Sequence, residues 1–166
     1  MLKRIITGCS VFLLCACGAN KKEVLQSMRD SNLLQEKKVN DYVFRLQYMP
    51  QEAITEDTAL VYFRLNVSNS DGKAMNGSND LSFSYGLDTL FSFVTATDTI
   101  TPTDVNRIAN GTMNGAEYML VFDKQTVYAQ RESKLLFKDW LFTKQTISFP
   151  VSGSAISHID SLSLKL

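Results

Sequence analysis

From Tyr42 onward, apolar residues recur at every second position. Tyr42, Phe44, Leu46 and Tyr48 alternate with Val43, Arg45 and Gln47, and Val61, Phe63, Leu65 and Val67 alternate with Tyr62, Arg64, Asn66 and Ser68. A period of two is that of a strand with one face in a core and one wetter face. Leu81, Phe83 and Tyr85 repeat it, and Phe91 and Phe93 mark a further strand after Gly86. Tyr118 to Phe122 is apolar on both faces and reads as a central strand. Ile147, Phe149 and Val151 give one more, and Leu162, Leu164 and Leu166, opposite Ser161, Ser163 and Lys165, predict that the chain finishes as a strand.

Ahead of Tyr42 the period is longer. Val24, Leu25, Met28, Leu33 and Leu34 recur at near-helical spacing between charged residues, which predicts a helix over Glu23 to Lys38 lying along the domain's flank. About seven strands with turn-forming stretches at Asn69 to Asn79, Asn110 to Gly115 and Ser152 to Ser154 predict an all-β fold. The expected form is an antiparallel immunoglobulin-like sandwich, with a small barrel as the alternative. The division expected is 1–16 as a leader, 17–40 as tether and helix, and 41–166 as the β domain.

The leader carries Lys3 and Arg4 before a run of apolar and small residues from Ile5 to Ala16. That run is shorter than the ~20 residues needed to span a bilayer, so it reads as the core of a signal peptide. The segment Leu14-Cys15-Ala16-Cys17 resembles a bacterial lipobox, with leucine three positions before the cysteine and a small residue immediately before it. The resemblance implies cleavage after Ala16 and acylation of Cys17, hence a bilayer as the chain's first partner. Three acyl chains make release negligible, since each buried methylene contributes roughly 0.8 kcal/mol.

The chain has only three cysteines, Cys9, Cys15 and Cys17. Two leave with the leader and the third is consumed by lipid, so the mature chain has no thiol for a disulfide, a metal thiolate or a nucleophile. With 45% of the 166 residues hydrophobic, a core can do the work of cross-links. Loss of Lys3 and Arg4 leaves 15 basic against 17 acidic side chains, so no basic excess points to nucleic acid. No polybasic run points to electrostatic membrane binding.

Catalytic and metal chemistry find little to work with. His158 is the single histidine, which excludes a histidine-rich metal site. It stands beside Ser157 and Asp160, but sequence neighbours are not a triad and no G-x-S-x-G elbow is present; it reads as a turn residue before the last strand. Glu56-Asp57 reads as a solvated pair. In the oxygen-rich loop Asn69 to Asp80, placing Gly72 at the sixth position of a calcium loop puts Val67 and Ser78 where ligands are required, so the loop reads as a turn. No cofactor is expected. Exposed aromatics are the remaining source of function. Trp140, within Phe137 to Phe142, reads first as core and otherwise as a sheet crossing or a recognition patch. Tyr62 and Arg64, on the nominal outer face of their strand, are residue types that favour interfaces.

The succession of lipobox, helix, a strand ending in Pro50-Gln51-Glu52, then YFRLNVSNSDGK, DTLFSFVTATDTITP and EYMLVFDK resembles small uncharacterised lipoproteins of the Bacteroidetes envelope. This implies an outer-membrane lipoprotein. The residues after Cys17 include one acid, Glu23, where surface-displayed relatives carry a cluster, so the periplasmic face is expected. Asp57-Thr58-Ala59, Asp88-Thr89-Leu90, Asp98-Thr99-Ile100 and Asp160-Ser161-Leu162 are similar to the O-glycosylation motif of exported Bacteroidetes proteins. Thr58, in a loop, is the site expected to be used; the others read as strand starts. The functions these features imply are a binding or scaffolding module with a protein partner, a subunit of a trans-envelope complex, or, third, an enzyme acting on envelope glycans or peptides.

Overall fold

The computed structural model describes residues 21–50, 59–74, 86–109 and 114–164. Cys17, Thr58, the Glu56-Asp57 pair and the strand expected at Leu81 to Tyr85 lie outside the described residues. The chain forms a sandwich of two antiparallel sheets. In the first, β1 (Leu34–Val39), β2 (Tyr42–Met49), β3 (Leu60–Asn69), β7 (Gly115–Asp123) and β6 (Asp104–Ile108) lie in the order β1-β2-β3-β7-β6. In the second, β4 (Phe91–Val94), β5 (Thr99–Ile100), β8 (Ser133–Asp139) and β9 (Gln145–Val151) lie in the order β5-β4-β8-β9.

The alternation read from the sequence sets the inner face. Phe44, Leu46 and Tyr48 of β2, Val61, Phe63, Leu65 and Val67 of β3, and Tyr118, Leu120 and Phe122 of β7 are buried. They meet Phe91, Phe93, Leu135, Phe137 and Phe149 from the second sheet. Phe91 stacks on Phe137 at 4.7 Å and 9°, and Phe63 tilts against both Phe93 and Phe122.

Two predicted elements end differently. The N-terminal helix, α1 (Lys21–Asp30), stops well before Lys38. Asn32 takes the left-handed conformation at φ 57, Leu33 N–H donates to Met28 O at 2.7 Å, and Asn32 N–H to Arg29 O at 3.1 Å. This is the Schellman arrangement, with Leu33 and Met28 making its buried apolar contact. The chain then leaves as β1 and turns into β2 through Asn40-Asp41, with Asn40 at φ 53.

At the other terminus, α3 (Gly153–Ser163) replaces the expected closing strand. Ala155, Ile156, Ile159 and Leu162 form one helical face packed on the core, which overrides the short alternation of the last six residues. His158 is therefore an exposed helical residue and not a turn residue. Gly153 opens α3 directly against the end of α2 (Lys124–Tyr128), where a Cβ would stand 2.6 Å from the carbonyl oxygens of Val127 and Tyr128.

The three α-helices of the described residues gather at one end of the sandwich, where β1 begins and β7 and β9 end. Two side chains from β1 cross to the second sheet beside them. Gln35 Nε2 donates to Pro150 O at 2.8 Å and the Lys37 ammonium donates to Ser148 O, its charge over the Phe149 ring.

Candidate functional site

Three places concentrate chemistry: a buried polar cluster under the helices, the outer face of the first sheet, and the turn joining β8 to β9. The cluster centres on Asp160, which the helical period of α3 turns inward. The Tyr48 hydroxyl, at the end of β2, donates to Asp160 Oδ1 at 2.7 Å. The Tyr128 hydroxyl, from α2, donates to Oδ2. Lys124 Nζ lies 3.6 Å from the same oxygen and 5.0 Å from the Tyr128 ring. One carboxylate thus ties a sheet and two helices together. Burial, and then the carboxylate beside them, push the Tyr48 and Tyr128 hydroxyls well above the ordinary tyrosine range. Both are fixed as hydrogen-bond donors. Ser157 and His158, the residues that invite a hydrolase reading beside Asp160, face solvent on α3 while Asp160 faces the core. The three do not form a triad.

Tyr62 and Arg64 stand where the alternation placed them, on the outer face of β3. Register sets Met49 of β2 and Val121 of β7 on either side of Tyr62, and Gln47 and Met119 on either side of Arg64. Arg64 Nε approaches Glu117 Oε1 at 3.0 Å, off the N–H direction, so the contact is an ion pair and not a hydrogen bond. Val121 is 6% exposed although it points away from the core, and its neighbours Met49, Tyr62 and Met119 are half-buried. A wetted sheet face of this sort carries an apolar row.

Trp140 is 66% exposed, so the expectation that it joins the core is overturned. The physical reason lies one residue earlier. The buried carboxylate of Asp139 accepts from the N–H groups of Leu141, Phe142 and Thr143 at 3.1, 2.8 and 2.7 Å and from the Thr143 hydroxyl at 2.6 Å. This winds the chain into a compact turn. Leu141 and Phe142 then pack on the core, Phe142 against Tyr42 and Phe44, while Trp140 is carried outward. Composition made the segment look buried; the Asp-x-x-x-Thr turn signal was the missed clue. Trp140 sits on the second sheet and at the end opposite the helices, so the structure does not bring it together with Tyr62 and Arg64.

The remaining glycosylation-like tripeptides fall into three settings. Thr89 is in the 3-10 helix Leu87–Leu90, Thr99 opens β5 as expected, and Ser161 lies within α3, where its hydroxyl donates to Ser157 O and not in a strand start. The described part of the Asn69 loop is a turn, with Gly72 at φ 69 and Asp71 N–H donating to Asn69 Oδ1 at 2.8 Å. Among the described residues no group of three or more His, Cys, Asp or Glu is placed to hold a metal ion, and no helix is long and apolar enough to cross a membrane. A cleft of about 470 Å³ opens where β4 and β9 end and β8 begins, between Asn32, Thr95, Arg131, Lys134 and Ser152. No protein-family model matches the sequence, and no curated protein is similar to it.

Proposed function

We propose that this chain is an envelope lipoprotein, anchored through acylated Cys17 at the periplasmic face of the outer membrane, that works as a binding or scaffolding module. In this reading it holds a protein partner on the outer face of its five-stranded sheet and catalyses no reaction. The observation that carries the reading is the apolar row Met49–Tyr62–Val121, with Met119 and the Arg64–Glu117 pair beside it, on a sheet face that faces outward. Tyr, Met and Arg are the residue types enriched at protein interfaces, and a flat antiparallel face offers them without a pocket. The anchor rests on the lipobox-like segment ending at Cys17.

A photo-crosslinking amino acid placed at Tyr62 in cells, with Thr146 on the opposite sheet as the reference position, tests the partner. A discrete adduct of one size from position 62 and none from 146 is expected. No adduct from position 62, or the same pattern from both, refutes the reading. Cys17→Ser tests the anchor separately: it should release the protein from the membrane fraction or block processing.

A further inference from the structure

The two outer faces of the sandwich differ in charge. On the first sheet carboxylates stand among the outward cations: Arg45 pairs with Glu36 at 2.6 Å and Arg64 with Glu117 at 3.0 Å, and Asp104 shares the face with Lys38. On the second, Lys134, Leu136 and Lys138 of β8 point outward between Val94 of β4 and Pro150 and Thr146 of β9. No outward position of these three strands carries a carboxylate. Lys134 and Lys138 are exposed and make no ion pair among the described residues. Among the described residues carboxylates enter at the margins, Glu132 beside Arg131, Asp98 in the β4–β5 turn and Asp88 in the 3-10 helix before β4, while the β8–β9 turn adds Lys144. The cations are scattered in sequence. The strand period gathers them on one plane.

At the rim of that plane stands Trp140, two residues beyond Lys138. Its backbone is fixed by the Asp139 turn, and its indole makes no hydrogen bond or ring contact among the described residues. A large exposed indole has no part in holding the fold. Amphipathic rings of this kind settle at the headgroup level of a bilayer, with the ring in the apolar boundary and the N–H wet.

We propose that the outer face of the four-stranded sheet, with Trp140 at its rim, docks on an anionic lipid surface. Lys134 and Lys138 stand roughly 13 Å apart, at ~3.3 Å per strand residue, with the half-buried Leu136 between them; Lys134 also borders the cleft at the β8 start, while Lys138 stands on the open face. Headgroups that diffuse to each lysine match such spread charges, whereas a folded acidic partner needs fixed pairing sites. Lysines near an anionic surface each contribute to attraction that salt screens. The helices begin at Lys21, four residues after Cys17, at the end of the sandwich remote from Trp140. An acyl chain at one end and an indole at the other would lay the domain on its side, leaving the Tyr62 face turned away from the bilayer. The docking needs neither the acyl chain nor the partner.

Trp140 is the only tryptophan, so the emission of the chain reports on this residue alone. The full chain carrying Cys17→Ser is titrated with vesicles of phosphatidylglycerol and phosphatidylcholine, against phosphatidylcholine alone, each with and without brominated acyl chains. A shift to shorter wavelength and quenching by bromolipid are expected on the anionic vesicles, lost in high salt. Lys134→Gln with Lys138→Gln, both at exposed positions, should weaken the response roughly 30-fold, from about tenfold per 1.4 kcal/mol and ~1 kcal/mol per lysine. Trp140 emission unchanged by anionic vesicles overturns the proposal, as does an equal response on neutral vesicles or in the double variant. A shift with polyglutamate but not with vesicles also overturns it and assigns the face to an acidic protein.

Discussion

Replacing Asp160 by alanine removes the acceptor that three groups share. Tyr48 is fully buried, and stranding its hydroxyl costs about 1–3 kcal/mol. Tyr128 is half-buried and can turn to water, so its loss is roughly 0.5–1 kcal/mol. The Lys124 side chain is 23% exposed and its 3.6 Å pairing is loose, which adds about 0–1 kcal/mol. The expected cost of Asp160→Ala is therefore about 1.5–5 kcal/mol, read from urea unfolding midpoints at unchanged m-value. The decisive measurement is the cycle with Tyr48→Phe. That variant removes the donor, so the double variant strands no hydroxyl at position 48 and should be less destabilised than the sum of the singles by about 1–2 kcal/mol. A cost for Asp160→Ala below about 1 kcal/mol, or strictly additive singles, would show that the carboxylate does not hold α3 and β2 together.

Other outcomes follow from buried groups elsewhere. Tyr118 is fully buried and its hydroxyl finds no partner among the described residues, so Tyr118→Phe should stabilise the protein by about 1 kcal/mol; a loss of that size would contradict the orphaned hydroxyl. Burial raises the Tyr48 and Tyr118 hydroxyls above the ordinary value of 10.0, so the unfolded chain loses these protons first. Their contribution is complete below pH 10 and lost above it, by up to about 1.4 kcal/mol per pH unit for each. Urea midpoints compared at pH 9 and pH 11 should show that fall, and a flat profile would refute it. Gly153→Ala forces a Cβ against three backbone oxygens within 2.7 Å and should cost about 3 kcal/mol, visible as a lowered Tm.

Much of the fold was legible wherever burial is one-sided. β2, β3, β4 and β9 lie where alternation put them, because a strand with one buried face writes its period into the sequence, and β7 lies where the run Tyr118 to Phe122, apolar on both faces, put it. The failures have local causes. Leu33 and Leu34 prolong a helical spacing past Asn32, whose left-handed geometry ends the helix; Asn is the only residue there that signals the stop. Ser161 to Leu166 alternates like a strand for too few residues to outweigh Ala155, Ile156, Ile159 and Leu162. β1 and β8 were missed for different reasons, β1 because its inward Gln35 and Lys37 are polar, and β8 because Trp140 drew the segment into a single apolar block. Tyr62 and Arg64 were readable as outward residues since they depend on strand period alone. The grouping of Asp160 with Tyr48 and Tyr128 was not, since it joins positions 112 and 32 residues apart through tertiary packing.

The two β1 side chains that reach across to β9 bear on how the domain can meet other chains. β9 is the border of its sheet, and a border strand with free carbonyls is a template onto which any extended segment can add. Here the Ser148 and Pro150 carbonyls are already taken by Lys37 and Gln35, and Pro150 has no N–H to offer. Recruitment by strand addition is blocked along that side, and so is uncontrolled stacking of one copy on the next. Where copies of the domain meet at high local density, such a sealed border keeps neighbours from joining on that side while the broad faces of the sandwich stay open.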